Sequence, residues 1–237
     1  MGLVLPLWVL AGFVFAQVIV GLVLVLLRLM GITFEGVNDA IVSTAIAAVS
    51  YVLAITLVVG LPWVIKKQRT SAQELGLGSP PTWIDLLLAP TGFVVYIILT
   101  AIFSFVAMQF LTFVDYDQTQ AVGFAGLNQQ YEFVLAFISL VIVAPVAEEV
   151  LFRGYLLGKL RKHLPLWGAI LVTSLLFAAV HLQWNVAIDV FALSLVLCVL
   201  RVISKSLWPS ILLHMIKNGI AFYFLFINPL LLTTLGG

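Results

Sequence analysis

Seven long apolar stretches, separated by short polar connections, set the pattern of this chain. They cover residues 3–27, 40–65, 83–113, 131–157, 166–182, 186–203 and 208–227. About 20 apolar residues are needed to cross a bilayer as a helix. The runs are continuous rather than alternating, which argues against a transmembrane barrel. The pattern therefore predicts an all-α, polytopic transmembrane helix bundle of about seven spans. The fifth and sixth stretches are short and close together, so a partial hairpin is one reading of them. The third is long enough to include an interfacial piece before Pro90. The opening stretch lacks a basic leader and is too long for a signal-peptide core, so it reads as a span. Pro6 stands where a myristoylation signal wants Ser or Thr. A short tail, 230–235, follows Pro229 and is expected not to cross.

The connections alternate in charge. Lys66, Lys67 and Arg69 follow the second stretch, Lys159, Arg161 and Lys162 the fourth, and Arg201 and Lys205 the sixth. The loops after the first and third stretches carry Glu35, Asp39, Asp115 and Asp117 with no basic residue among them. By the positive-inside rule the basic loops are cytoplasmic, which places the N-terminus inside, most simply in a plasma membrane. Arg28, at the outer end of the first stretch, is the exception. Residues 68–82 hold Gly76, Gly78, Ser79, Pro80 and Pro81 and read as a cytoplasmic linker. The linker separates two leading spans, 1–67, from a helical block, 83–237.

Composition agrees. Hydrophobic residues make up 63% and charged residues 9% of the chain, against about 25% charged in soluble domains. The mean hydropathy is +1.22. A net charge of +1 without a large basic cluster points away from nucleic acid. The single Cys198 excludes an intramolecular disulfide and reads as a packed thiol.

Against this apolar background, a few polar residues in the late stretches stand out. Ionised groups cost roughly 2.5–3.5 kcal/mol at a membrane helix centre on insertion scales. They persist where they meet a partner, a cavity or a reaction. Glu148 and Glu149 precede Arg153 in the fourth stretch. Glu149 and Arg153, four apart, share a helical face and can pair. Glu148 points about 100° away and can face a cavity as a general base. Pro145 is expected to kink the helix and free backbone carbonyls nearby. The plainer alternative is a helix end dipping into the interface with solvated charges.

Phe177 and His181 are likewise four apart, with small Ala178 and Ala179 permitting close helix approach. Alone, His181 reads more readily as a hydrogen-bonded structural histidine. His214 and Asn218 share a third face, where they can donate to an oxyanion, ligate a metal or bridge helices. Lys217 is expected to point elsewhere and snorkel. His163, among basic neighbours, reads as solvated or facing headgroups. Counted from the basic ends, Glu148 and His214 lie about 13 and 9 Å deep, and His181 about 22 Å. That mismatch sets span boundaries against convergence of the three motifs.

The ordered set Glu148-Glu149-x-x-x-Arg153, Phe177-x-x-x-His181, His214-x-x-x-Asn218 resembles the CPBP intramembrane protease family, which includes the type II CAAX prenyl endopeptidases and bacterial Abi proteins. The resemblance covers about 131–226, and Glu74-Leu-Gly-Leu is similar to the family's lead-in. It implies a hydrolase cutting a peptide bond at or within the membrane. On that implication Glu148 and His181 activate a water, His214 and Asn218 stabilise the oxyanion, and Glu149, Arg153 and Phe177 support them. The substrate would be a membrane-associated peptide or protein, with lipidated ones among the candidates, and the lipid bilayer is the other partner. The family's metalloprotease label competes with a metal-free mechanism. Glu148, His181 and His214 could hold a zinc ion with one open position, yet no HExxH helix is present, and the residues favour glutamate-activated water. A proton-coupled transporter and a non-catalytic scaffold or immunity protein are the rival readings.

Overall fold

A computed structural model describes residues 4–116, 118, 124 and 126–230. Asp117 and nearly all of the 230–235 tail lie outside them. The described residues form helices and connecting turns. We number the helices α1 (Val4–Leu29), α2 (Asp39–Lys66), α3 (Ala72–Leu75), α4 (Trp83–Phe110), α5 (Gln130–Leu160), α6 (Leu166–Ala179), α7 (Trp184–Ser204) and α8 (Trp208–Ile227). Six are long and apolar enough to cross a membrane, and α6 is a shorter apolar helix. The chain is thus an all-α, multi-pass membrane bundle.

Local sequence sets the helix starts. Asn38 caps α2 by accepting from the Ala40 amide. Thr82 and Asp85 form a reciprocal capping box at α4, as Ser71 and Glu74 do at α3. Pro209 opens α8, where a missing N–H costs nothing. Pro90 lies inside α4, which continues through it.

α5 is the axis of the bundle. It packs against α1, α2, α6, α7, α8 and the short α3, while α4 lies outside against α7 and α8. Half of the central window of α5 is buried, against 11% for α2. The main core gathers Leu151, Phe152, Leu156 and Leu157 of α5 with Ile170 and Phe177 of α6, Val190 and Cys198 of α7, Val9 and Ala16 of α1, and Ala54 and Val58 of α2. The leading pair therefore shares one core with the later helices. Where α4 crosses α7 and α8, a Cβ at Gly92 would come within 2.8 Å of Leu200 and 2.7 Å of Leu213, so glycine sets that approach.

The segment 68–82, expected as a linker, is docked. The Gly76 carbonyl accepts from the Leu207 amide, the Glu74 carbonyl from Arg201, and the Ser79 carbonyl from the Trp208 indole. Leu75 packs beside Gly154 of α5. Capping and inter-helix hydrogen bonds outweigh its Gly and Pro content. These contacts bring the three basic connections to one end of the bundle, with the start of α1.

Candidate functional site

α5 carries two turns of wider, π-helical winding, at Ile138–Val143 and Val150–Leu156, on either side of the glutamates. Such turns recur at functional sites. In the first, the Ala144 amide reaches the Ser139 carbonyl, five residues back. The next position is Pro145, which has no N–H, so the Leu140 carbonyl is left free in that register. The Asn218 amide of α8 donates to it at 2.9 Å. The carbonyl freed by the proline is what anchors Asn218.

Beyond that point the two glutamates separate. Glu149 has no exposed surface. Its Oε1 accepts from Arg153 at 2.8 Å and from Nδ1 of His214 at 2.9 Å. Arg153 is equally buried, and its guanidinium lies 4.1 Å from the centre of the Phe177 ring, a favourable cation–π geometry. Phe177 also meets His181 and His214 edge to face, with centroids 5.1 and 5.9 Å away, and Phe152 at 5.0 Å. One aromatic ring thus joins the three motif helices.

Glu148 turns the other way. Its side chain keeps 14% exposure and lines a cavity of about 280 Å³ with His181, His214, Lys217 and Asn218. The Tyr51 hydroxyl of α2 donates to Oε1 at 2.6 Å. Oε2 lies 3.8 Å from Nε2 of His214. The Phe177 carbonyl can only accept, so Nδ1 of His181, 2.8 Å away, carries the proton. A neutral His181 then presents Nε2 as an acceptor. His214 has its Nδ1–H fixed on Glu149, which leaves Nε2 turned toward Glu148.

The depth mismatch resolves in side-chain direction and helix length. α5 runs on to Leu160, so Glu148 is 12 residues, about 18 Å, from its end. The His181 ring folds back to the Phe177 carbonyl, about one 5.4 Å turn nearer the basic end, as helical side chains lean toward the N-terminus. That brings it to about 17 Å. His214 touches both glutamates, so α8 must start deeper than α5 ends.

All seven residues singled out in the sequence meet here. Sequence reasoning missed four others. Tyr51 comes from the leading pair, as do Phe13 and Gln17, which line the same cavity. Asp189 of α7 receives Tyr96 at 2.6 Å and Thr100 at 3.1 Å, and pairs with Lys217 at 3.3 Å. Lys217 therefore does not snorkel away; it lines the cavity, because a carboxylate inside the bundle holds its ammonium there. The desolvation cost that marks out Glu148 marks Asp189 and Lys217 equally, and that signal was present in the sequence.

Among the described residues no three His, Cys, Asp or Glu side chains are grouped to hold a metal ion. Nδ1 of each site histidine is engaged, which leaves Nε2 as the ring nitrogen open to the cavity.

Residues 130–220 match the family described as Rce1-like, type II CAAX prenyl endopeptidase. A protein of Escherichia coli described as an uncharacterized 24.3 kDa protein is 37% identical over 87 residues, 35% of this chain and 40% of that protein. The match thus spans less than half of that relative. No solved structure matches the chain.

Proposed function

We propose that this chain, whose residues 130–220 match the Rce1-like family, is an intramembrane endopeptidase that uses glutamate-activated water. The observation that carries the reading is the opposite placement of two adjacent glutamates, one sealed in an ion pair and one open to a cavity. A water between Glu148 and Nε2 of His181 gives its proton to the Glu148 carboxylate as its oxygen attacks the scissile carbonyl. The oxyanion receives hydrogen bonds from the second amide hydrogen of Asn218 and from Nε2–H of His214, which in this step is the imidazolium, its Nδ1–H remaining on Glu149. Glu148 then passes its proton to the leaving amine. Glu149 holds the His214 ring in place, and Arg153 balances the Glu149 charge. No step passes through a metal.

The substrate class that fits is a membrane-associated peptide or protein, since the cavity is walled by Phe152, Val190, Phe222, Leu225 and Phe226. Lipidated proteins are candidates through the family's description. The basic end lies in the cytoplasm of a plasma membrane, with the start of α1 on that side. Comparative analysis of membrane peptides from cells carrying the wild type and Glu148→Ala tests this. Peptides that accumulate or vanish with the variant are expected; identical peptide profiles would overturn the peptidase reading.

A further inference from the structure

At the basic end of the bundle lies a second cavity, of about 690 Å³, larger than the one holding Glu148. Its inner wall is apolar: Leu5 and Trp8 of α1, with Leu61 and Ile65 of α2. Trp8 is fixed there, because its indole N–H donates to the Val58 carbonyl at 3.0 Å. Its rim carries Lys66 at the end of α2, Lys67 and Arg69 just beyond it, and Lys159 in the last turn of α5, with His163 beside them. Among the described residues no acidic side chain lines it. The nearest carboxylate in ion-pair contact, Glu74, lies outside it, 3.9 Å from Lys159 and 3.7 Å from Lys162. Lys67 ends α2 in the left-handed conformation, φ 55°, which turns the chain so that Gln68–Thr70 also border the cavity.

The split between rim and wall follows the bilayer. Lys66 and Lys67 are where α2 leaves the apolar layer, and Leu5, Trp8 and Leu61 sit within it. A ligand that satisfies both halves carries an anion at the interface and hydrocarbon below. A soluble anion would leave the apolar wall unfilled, and a neutral lipid would bring no counter-charge to Lys66 and Lys67. Basic pockets between transmembrane helices on the cytoplasmic side suit phosphate-bearing lipid headgroups. We propose that this cavity is a binding site for an anionic phospholipid, its phosphate held by Lys66, Lys67 and Lys159 and its acyl chains lying on α1 and α2. The site is separate from the catalytic cavity and stands whether or not the chain cuts peptides.

Native mass spectrometry of the purified full chain, titrated with phosphatidylglycerol or phosphatidylcholine, tests it. The wild type should retain phosphatidylglycerol preferentially, and Lys66→Gln with Lys67→Gln should lower that retention by about thirtyfold, from about 1 kcal/mol for each of the two interfacial cations. Lys162→Gln with Lys205→Gln removes the same charge from the same end without touching the cavity, and should leave retention unchanged. Equal retention of the two lipids, or equal loss in both double variants, would overturn the site. Displacement of the lipid by millimolar inorganic phosphate would also overturn it, in favour of a soluble anion. Trp8→Ala should weaken phosphatidylglycerol retention without altering the charge.

Discussion

On one side of α5, Glu149, Arg153, Phe177 and His214 form a sealed cluster in which the carboxylate and guanidinium have no exposed surface. On the other, Glu148, Tyr51, His181, Lys217 and Asn218 surround open space. Each side holds a glutamate, a histidine, a cation and an aromatic ring, and at Glu148 and Glu149 the two sides use consecutive residues. The sealed side has its charges neutralised in place, so its members cannot exchange partners without leaving a buried charge alone. The open side faces a cavity that a water and a substrate can enter, which is what a reacting group needs. His214 belongs to both, with Nδ1 on the sealed side and Nε2 on the open one.

Glu148→Gln is the largest break in this comparison. It should lower peptide hydrolysis by about 10²–10⁴-fold, the usual range for a positioned acid–base group, while thermal unfolding in detergent stays near the wild-type temperature. Full activity in that variant would remove Glu148 from the reaction. Glu149→Gln should do the reverse and destabilise the bundle first, by about 3–5 kcal/mol, because Arg153 loses its buried partner. Denaturation measured beside activity separates the two; equal unfolding temperatures for both glutamine variants would erase the distinction between the sides.

Asn218→Ala should reduce kcat by about 10²–10³-fold, as for loss of one oxyanion donor. A stability loss of about 1–3 kcal/mol should accompany it, since the Leu140 carbonyl loses its donor. An effect on stability alone would make Asn218 a helix bridge. The smallest expected change is Tyr51→Phe. Loss of one hydrogen bond to a carboxylate should cost about tenfold in kcat, within the range for charged partners, with KM little altered. A null result there would mean that α2 only walls the cavity.

Much of this was readable before any coordinates. The i,i+4 spacing of Glu149 with Arg153 became a 2.8 Å ion pair, and the 100° offset of Glu148 became its cavity exposure. Pro145 did free a carbonyl, although the π-helical register decided that it was Leu140 and that Asn218 would take it. The roles of Tyr51 and Asp189 were not readable. Tyr51 is separated from Glu148 by 97 residues, and nothing local to either residue reports the pairing. Asp189 lacks a charged partner at helical spacing, so only the packing of α7 on α4 and α8 reveals why it is tolerated. Residues 68–82 failed for a related reason, since turn-rich composition describes backbone freedom and not the contacts that remove it.

The sequence by itself determined that this is a helical membrane bundle, because a chain with so few charges cannot coat a soluble surface, and it singled out the late polar residues that meet in one place, because lipid makes each polar group conspicuous. The tertiary structure alone decided how those residues divide. Which glutamate is sealed, which imidazole nitrogen faces the cavity and which early helix reaches the site depend on side-chain direction and helix depth, and these are set by packing between segments far apart in the chain.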